Sequence, residues 1–316
     1  MIYTVTLNPA LDRTIVVDRL VEEDTIRILE ESAFAGGKGI DVSRVIKELG
    51  GQSIALGFIG GFEGLKLEGL LINAGVVTDF VRIGGETRMN IFIKEKSTGR
   101  QFSISAAGPE ISAAEIGSIY HRLLQINDME YLVISGSLPR GVSSNLYGQI
   151  IHAGRKNGAF VMLDTDGKTL KESVEYLPTC IKPNRFELSR LVGRNLEKED
   201  DLLEACDELH EKGIPNVLLS RGSEGMILST PEVKIKGKTP AIAVGSAVGA
   251  GDSAVAGFIF AHSRKESMED CVRLACAAGT ATAMNPGTEL CHLPQIDEIL
   301  PKIEISTIGS GRCGCR

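Results

Sequence analysis

The chain opens on an alternation of apolar and polar residues, Met1-Ile2-Tyr3-Thr4-Val5-Thr6-Leu7, which predicts a strand at its start. From about residue 50 onward, short apolar runs alternate with segments of helical period. Strands are predicted at 53–59, 131–135, 160–164, 180–182, 217–220 and 226–229, and helices at 40–49, 66–74, 113–126, 145–157, 186–192 and 199–212. This rhythm predicts an α/β fold, a parallel sheet with helices on both faces. No repeat or low-complexity linker divides the chain, so one main domain is expected over 1–316. Two segments break the rhythm: 14–33, with alternation in Thr14-Ile15-Val16-Val17 and Thr25-Ile26-Arg27-Ile28, and 82–105, with alternation in Met89-Asn90-Ile91-Phe92-Ile93. They read as extra antiparallel strands forming a small β-layer, a lid over about 13–33 and 82–106. Its apolar face and edges are expected to be covered by a second copy of the chain, giving a homodimer.

Composition narrows the class. The 316 residues are 43% hydrophobic, enough for a substantial core. The net charge of −7 comes without a long basic run, which argues against nucleic acid or an anionic membrane as partner. No signal-peptide pattern opens the chain, and no stretch approaches the roughly 18 apolar residues of a membrane span, so a soluble, cytoplasmic protein is expected. The seven cysteines are scattered and form no CxxC pairs, which speaks against a structural zinc. Cys271 and Cys276 fall in an apolar helical stretch and read as core. The Gly-rich 309–316, with Cys313 and Cys315, reads as a flexible tail.

The most informative segment is Val248-Gly249-Ala250-Gly251-Asp252-Ser253, a glycine loop with a lone carboxylate ahead of an apolar helix. Backbone N–H groups at Gly249, Ala250 and Gly251, with the helix dipole, can stabilise a transferring phosphoryl group, and Asp252 can take a hydroxyl proton. Read alone, the same residues also describe an Asp-capped turn. A second cluster, Ala35-Gly36-Gly37-Lys38-Gly39-Ile40-Asp41, suits a sugar phosphate: Gly37 and Gly39 allow close approach, Lys38 brings charge and Asp41 can accept from hydroxyls. It equally describes a helix-opening turn, and the Walker spacing is absent. Asp12 lies near the C-terminal edge of the first strand, where α/β sheets bind ligands, and could orient a sugar hydroxyl. Arg27 and Arg88, on the two lid segments, could clamp a phosphate or simply face solvent. Asn184 and Glu187 open a helix and either cap it or serve Mg²⁺, Glu187 through water. Ser220, Gly222 and Gly225 form a tight turn suited to a nucleotide or a hairpin.

Taken together, these motifs resemble the PfkB (ribokinase-like) sugar kinases over essentially the whole chain. Within that family the chain is similar to the phosphofructokinase branch, through Asn8-Pro9-Ala10-Leu11-Asp12, Thr87-Arg88-x-Asn90, Ser135-Gly136-Ser137-Leu138-Pro139, Lys182-Pro183-Asn184 and Gly287-Thr288-x-Leu290-Cys291. That branch comprises the minor 6-phosphofructokinase, 1-phosphofructokinase and tagatose-6-phosphate kinase. The resemblance implies a three-layer αβα fold with a β-lid and ATP-dependent phosphorylation of a ketohexose phosphate, fructose 6-phosphate first. Asp252 is then the base and Gly249, Ala250 and Gly251 the anion hole. Asp12, Arg27, Gly37, Lys38, Gly39, Asp41, Arg88, Asn90 and Ser137 hold the sugar phosphate. Lys182, Asn184, Ser220, Gly222, Gly225 and Gly251 hold ATP, and Asn184 with Glu187 serves its Mg²⁺. A monovalent cation, K⁺, corresponds to Ser246, Val248, Asn285 and Gly287.

The chain departs from the pattern in carrying Asp41 where the family has Asn, and Thr25 and Ser103 where the minor 6-phosphofructokinases have basic lid residues. Lys38 could compensate. Two other classes fit the sequence less well. A dinucleotide oxidoreductase lacks its GxGxxG fingerprint here, and a non-catalytic sugar-phosphate sensor has no need of Asp252.

Overall fold

In a computed structural model, residues 1–308 are described; the tail with Cys313 and Cys315 lies outside them. Among the described residues the strands run β1 (Ile2–Thr6), β2 (Ala10–Val17), β3 (Ile28–Gly36), β4 (Ser53–Ile59), β5 (Val77–Thr78), β6 (Val81–Arg82), β7 (Arg88–Glu95), β8 (Gln101–Ile104), β9 (Tyr131–Ser135), β10 (Phe160–Asp164), β11 (Cys180–Ile181), β12 (Asn216–Ser220), β13 (Met226–Ser229), β14 (Lys234–Lys238) and β15 (Glu304–Ile308). The helices are α1 (Lys38–Glu48), α2 (Gly61–Asn73), α3 (Ala113–Leu124), α4 (Asn145–Lys156), α5 (Gly167–Ser173), α6 (Arg185–Val192), α7 (Glu199–Glu211), α8 (Ala250–Ser263), α9 (Met268–Met284) and α10 (Leu293–Ile299).

The main sheet has the order β15-β14-β13-β12-β11-β10-β9-β1-β4-β5, with β6 also beside β4. It is parallel from β5 to β12 and antiparallel through β13, β14 and β15. Every residue of β1 and β9 is buried, the mark of strands covered on both faces. One core layer centres on Leu132, Ile134, Ile150 and Leu163, the other on Val42, Val133, Phe258 and Ala277. The strand order reverses at β1, between β9 and β4, and ligands of open α/β sheets bind in the crevice at such a switch point. No described helix is long and apolar enough to cross a membrane.

A separate four-stranded sheet has the order β3-β2-β7-β8. Its central pair is parallel, with Ala10 opposite Arg88 and Asp12 opposite Asn90. That central pairing differs from the antiparallel arrangement expected, and two further expectations are corrected. Thr25, Ile26 and Arg27 precede β3 rather than forming a strand, because the 18–27 connection turns: Glu23 takes a left-handed φ of 58° and the Asp24 carboxylate accepts the Thr25 N–H at 2.6 Å. Asp12 does not sit at the edge of the first strand; β1 ends at Thr6, and Asp12 lies inside β2 of the small sheet.

Candidate active site

Gly249 takes a left-handed φ of 77° and hands the chain to α8. Any other residue there would meet strain, and its Cβ would come within 2.6 Å of Leu290. The first turn of α8 then presents N–H groups with no intrahelical acceptor. Asp252, within that first turn, is 8% exposed. Burial, together with the carboxylates of Asp164 and Asp41, raises its pKa well above the ordinary range, against the pull of Lys38 and Lys182. In its ionised form a carboxylate raised in this way is a stronger base towards a hydroxyl proton.

Facing it is a charge cluster that the sequence reading did not single out. The fully buried Asp164, at the end of β10, has Oδ1 3.2 Å from Lys38 Nζ and 3.4 Å from Lys182 Nζ. Burial alone would raise its pKa; the two ammonium groups outweigh burial and hold it below the ordinary range. Asp164 in turn raises the pKa of Lys38. Lys38, expected at the sugar's phosphate, therefore stands with Lys182 and Asp252 along one cleft of about 950 Å³. Asp164 was legible by the rule applied to Asp12, a carboxylate at the C-terminal end of a strand.

The same cleft reaches Asn184, Glu187, Ser220, Gly222 and Gly225. Asn184 and Glu187 form a capping box on α6: Asn184 Oδ1 accepts the Glu187 N–H at 2.9 Å, and Glu187 Oε2 accepts the Asn184 N–H at 2.7 Å. The capping reading is thus realised, and Glu187 also lines the cleft. Ser220 donates weakly to the Pro183 carbonyl at 3.5 Å, which ties the turn after β12 to the start of α6. At Gly225 (φ 87°) a Cβ would lie 2.0 Å from the Gly237 carbonyl oxygen, so only glycine lets this turn close against β14.

Beyond Lys38, towards the small sheet, sits a second group. Asp12 is buried and its Oδ1 accepts from the Asn90 amide at 2.8 Å; burial raises its pKa. Gly36 packs against that carboxylate, and Gly37 and Gly39 pack against Thr6. Asp41, in the first turn of α1, pairs with Arg44 at 3.1 Å. Arg88 donates to the Asn8 carbonyl from Nη2 at 2.8 Å and to the Ala106 carbonyl from Nη1 at 2.8 Å, tying β7 to the end of β1. Ser137 is exposed and accepts from the Asn8 amide at 3.3 Å. Arg27 is exposed ahead of β3 and does not line the cleft. Arg44, which holds Asp41, was missed because a cation at i+3 on a helix reads as surface.

The 245–248 loop runs beside the end of α9: the Gly245 and Ser246 N–H groups donate to the Ala283 carbonyl at 2.9 and 3.3 Å. Ser246 Oγ accepts from Val248 N–H at 3.2 Å, and Asn285 exchanges hydrogen bonds with Gln295 and donates to the Leu290 carbonyl at 2.8 Å. Gly287 follows with φ 62°.

Residues 5–296 match the pfkB family carbohydrate kinase model. The chain is 37% identical over 309 residues to a 1-phosphofructokinase from Borreliella burgdorferi, which covers 98% of this chain and 99% of that protein. It is 34% identical over 307 residues to a D-tagatose-1-phosphate kinase from Bacillus licheniformis, covering 97% and 99%. A crystal structure of phosphofructokinase-2 from Escherichia coli in complex with potassium superposes with a TM-score of 0.91 at 33% identity, covering 95% of this chain and 98% of that one.

Proposed function

We propose that the chain, which belongs to the PfkB family of carbohydrate kinases, transfers the γ-phosphoryl group of ATP to a ketohexose 1-phosphate, fructose 1-phosphate first, at its free primary hydroxyl. It is a sugar phosphate kinase of that family. The observation that carries the kinase reading is Asp252, buried at the start of α8 behind a left-handed glycine, facing Lys38 and Lys182 in one cleft. The sequence alone favoured fructose 6-phosphate. The move to a 1-phosphate rests on the relatives above, and the D-tagatose-1-phosphate kinase among them keeps tagatose 1-phosphate as the second reading.

In this account Asp252 takes the proton of the attacking hydroxyl, the new O–P bond forms as the bond to ADP breaks, and ADP leaves. Gly249, Ala250 and Gly251 offer N–H groups to the equatorial oxygens of the transferring group. Lys38 and Lys182, poised by Asp164, neutralise its charge. Asp12 and Asp41 hold sugar hydroxyls, with Gly37 and Gly39 against the ring, and Arg88 with Asn90 and Ser137 faces the sugar's own phosphate. Arg27, exposed ahead of β3, is proposed at that phosphate only when the lid folds inward. Asn184, Ser220, Gly222 and Gly225 bound the nucleotide. Mg²⁺, brought with ATP, would supply charge neutralisation at the phosphates. Glu187 fits it, since Oε2 is held by the Asn184 N–H while Oε1 remains for the ion's water ligands. Among the described residues no cluster of three or more His, Cys, Asp or Glu side chains is arranged to hold a metal. K⁺ is proposed beside Ser246, Val248, Asn285 and Gly287, where the hydroxyl and amide groups are already paired and the ligands would be backbone carbonyl oxygens.

The test is kcat/KM with MgATP against fructose 1-phosphate, tagatose 1-phosphate, fructose 6-phosphate and tagatose 6-phosphate, with and without K⁺. Fructose 1-phosphate is expected to lead, and a lead for either 6-phosphate would overturn the substrate assignment. The small sheet, proposed as a lid, leaves Ile28, Leu29 and Ile104 each about half exposed. A second copy packed there would cover them. Light scattering on purified protein is expected to give a dimer, and a monomer at micromolar concentration would remove that proposal.

A further inference from the structure

Asp41 is the least comfortable charge in the sugar half of the site. Its side chain is only 14% exposed. Arg44, on its own helix, donates to it from Nη1 at 3.1 Å, shares that nitrogen with the Ala35 carbonyl, and lies over the Phe34 ring. Two more carboxylates act on the same space, Asp12 from β2 and Asp252 from α8. The other elements packed on α1 bring no relief. β1, β4 and β9 carry no charged residue, and their tyrosines, Tyr3 and Tyr131, are bound to Asp128 and His262. β3 presents Phe34 and Ala35, while its Glu30 and Glu31 are exposed further along the strand and Glu31 is paired with Arg13. Asp12 is committed as an acceptor by the Asn90 amide. A sugar phosphate brings close to two further negative charges at neutral pH.

We propose that Asp41 enters the sugar complex as the neutral acid, donating a hydrogen bond to a sugar hydroxyl while Asp12 accepts one, so that binding of the sugar phosphate takes up a proton. The inference rests on the kinase reading above. Burial above all, reinforced by Asp12 and opposed by Arg44, lifts the Asp41 carboxyl to about 7, so near neutrality the protonated form is already populated. A protonated carboxyl offers one O–H donor beside an acceptor oxygen, the same hydrogen-bonding face as an Asn amide. That equivalence makes Asp41→Asn the diagnostic variant, since it fixes the donor at every pH.

The experiment is KM for the sugar phosphate, with kcat recorded separately, in native protein and Asp41→Asn. The ratio of native to variant KM cancels the substrate's own ionisation, and above about pH 7 it is expected to climb roughly tenfold per pH unit. A ratio that stays flat overturns the inference, because no proton on residue 41 is then linked to binding. So does an Asp41→Asn protein with the native circular dichroism spectrum and melting temperature that no longer binds the sugar phosphate, because the negative charge is then required. A native protein that turns over no ketohexose phosphate overturns the kinase reading beneath it instead.

Discussion

Asp252→Asn is expected to lower kcat by about 10²–10⁴-fold while leaving KM for ATP and for the sugar phosphate within a few-fold of native. The amide keeps the shape of the carboxyl but cannot take the hydroxyl proton. Asp252 makes no ion pair within 4.0 Å among the described residues; Lys38 and Lys182 act on it across the cleft and are themselves paired with Asp164. The substitution therefore leaves the cation cluster intact, and the loss should appear in the chemical step. Single-turnover kinetics would show it directly, and a variant turning over within tenfold of native would remove Asp252 as the base.

Asp164→Ala has the largest expected effect on stability. Lys182 is 5% exposed and Asp164 is fully buried, so the substitution strands an ammonium group in the interior. Removing one partner of a buried pair in this way costs about 3–5 kcal/mol. Lys38, more exposed, can turn towards solvent and contributes less. The folded-state pKa of Asp164 is lowered, so its contribution is fully present above the unfolded value of about 3.9 and fades as pH falls through the folded one. Urea unfolding near neutral pH measures the loss. The double variant Asp164→Leu with Lys182→Met should recover much of it, because an apolar pair of similar volume leaves no charge behind. A loss below about 1 kcal/mol for Asp164→Ala would show that the Lys182 ammonium finds another partner.

The parts of the fold legible in the sequence were those whose pattern is decided locally. β4, β9, β10 and β13 lie at the boundaries their apolar runs indicate, because buried strands leave little freedom of register. β14 was not foreseen. Its inward positions are Ile235 and Gly237, and the glycine stands there because Cys276 and Val272 of α9 fill the space a side chain would take. That is a tertiary reason that leaves almost no apolar signal in the strand itself. The 25–28 alternation failed for the opposite reason, a local Asp24 turn overriding a strand-like pattern.

The candidate site divides in the same way. Gly249, Ala250, Gly251 and Asp252 are contiguous, so loop, helix start and carboxylate could be read as one unit. Arg44 could not, since it is disguised as a surface pair, and while Asp164 carried the strand-end signal its pairing did not, because Lys38 lies 126 residues before it. The same contact is the ground on which Lys38 is proposed beside the transferring group.

The activity proposed for the chain is transfer of a phosphoryl group from ATP to a ketohexose phosphate. Its most direct test is ³¹P NMR of purified native protein mixed with MgATP and fructose 1-phosphate. The account predicts ADP and fructose 1,6-bisphosphate appearing in equal amounts, with the new phosphate on the second primary hydroxyl. ADP released with inorganic phosphate alone, or ATP unchanged in the presence of each ketohexose phosphate, would contradict it.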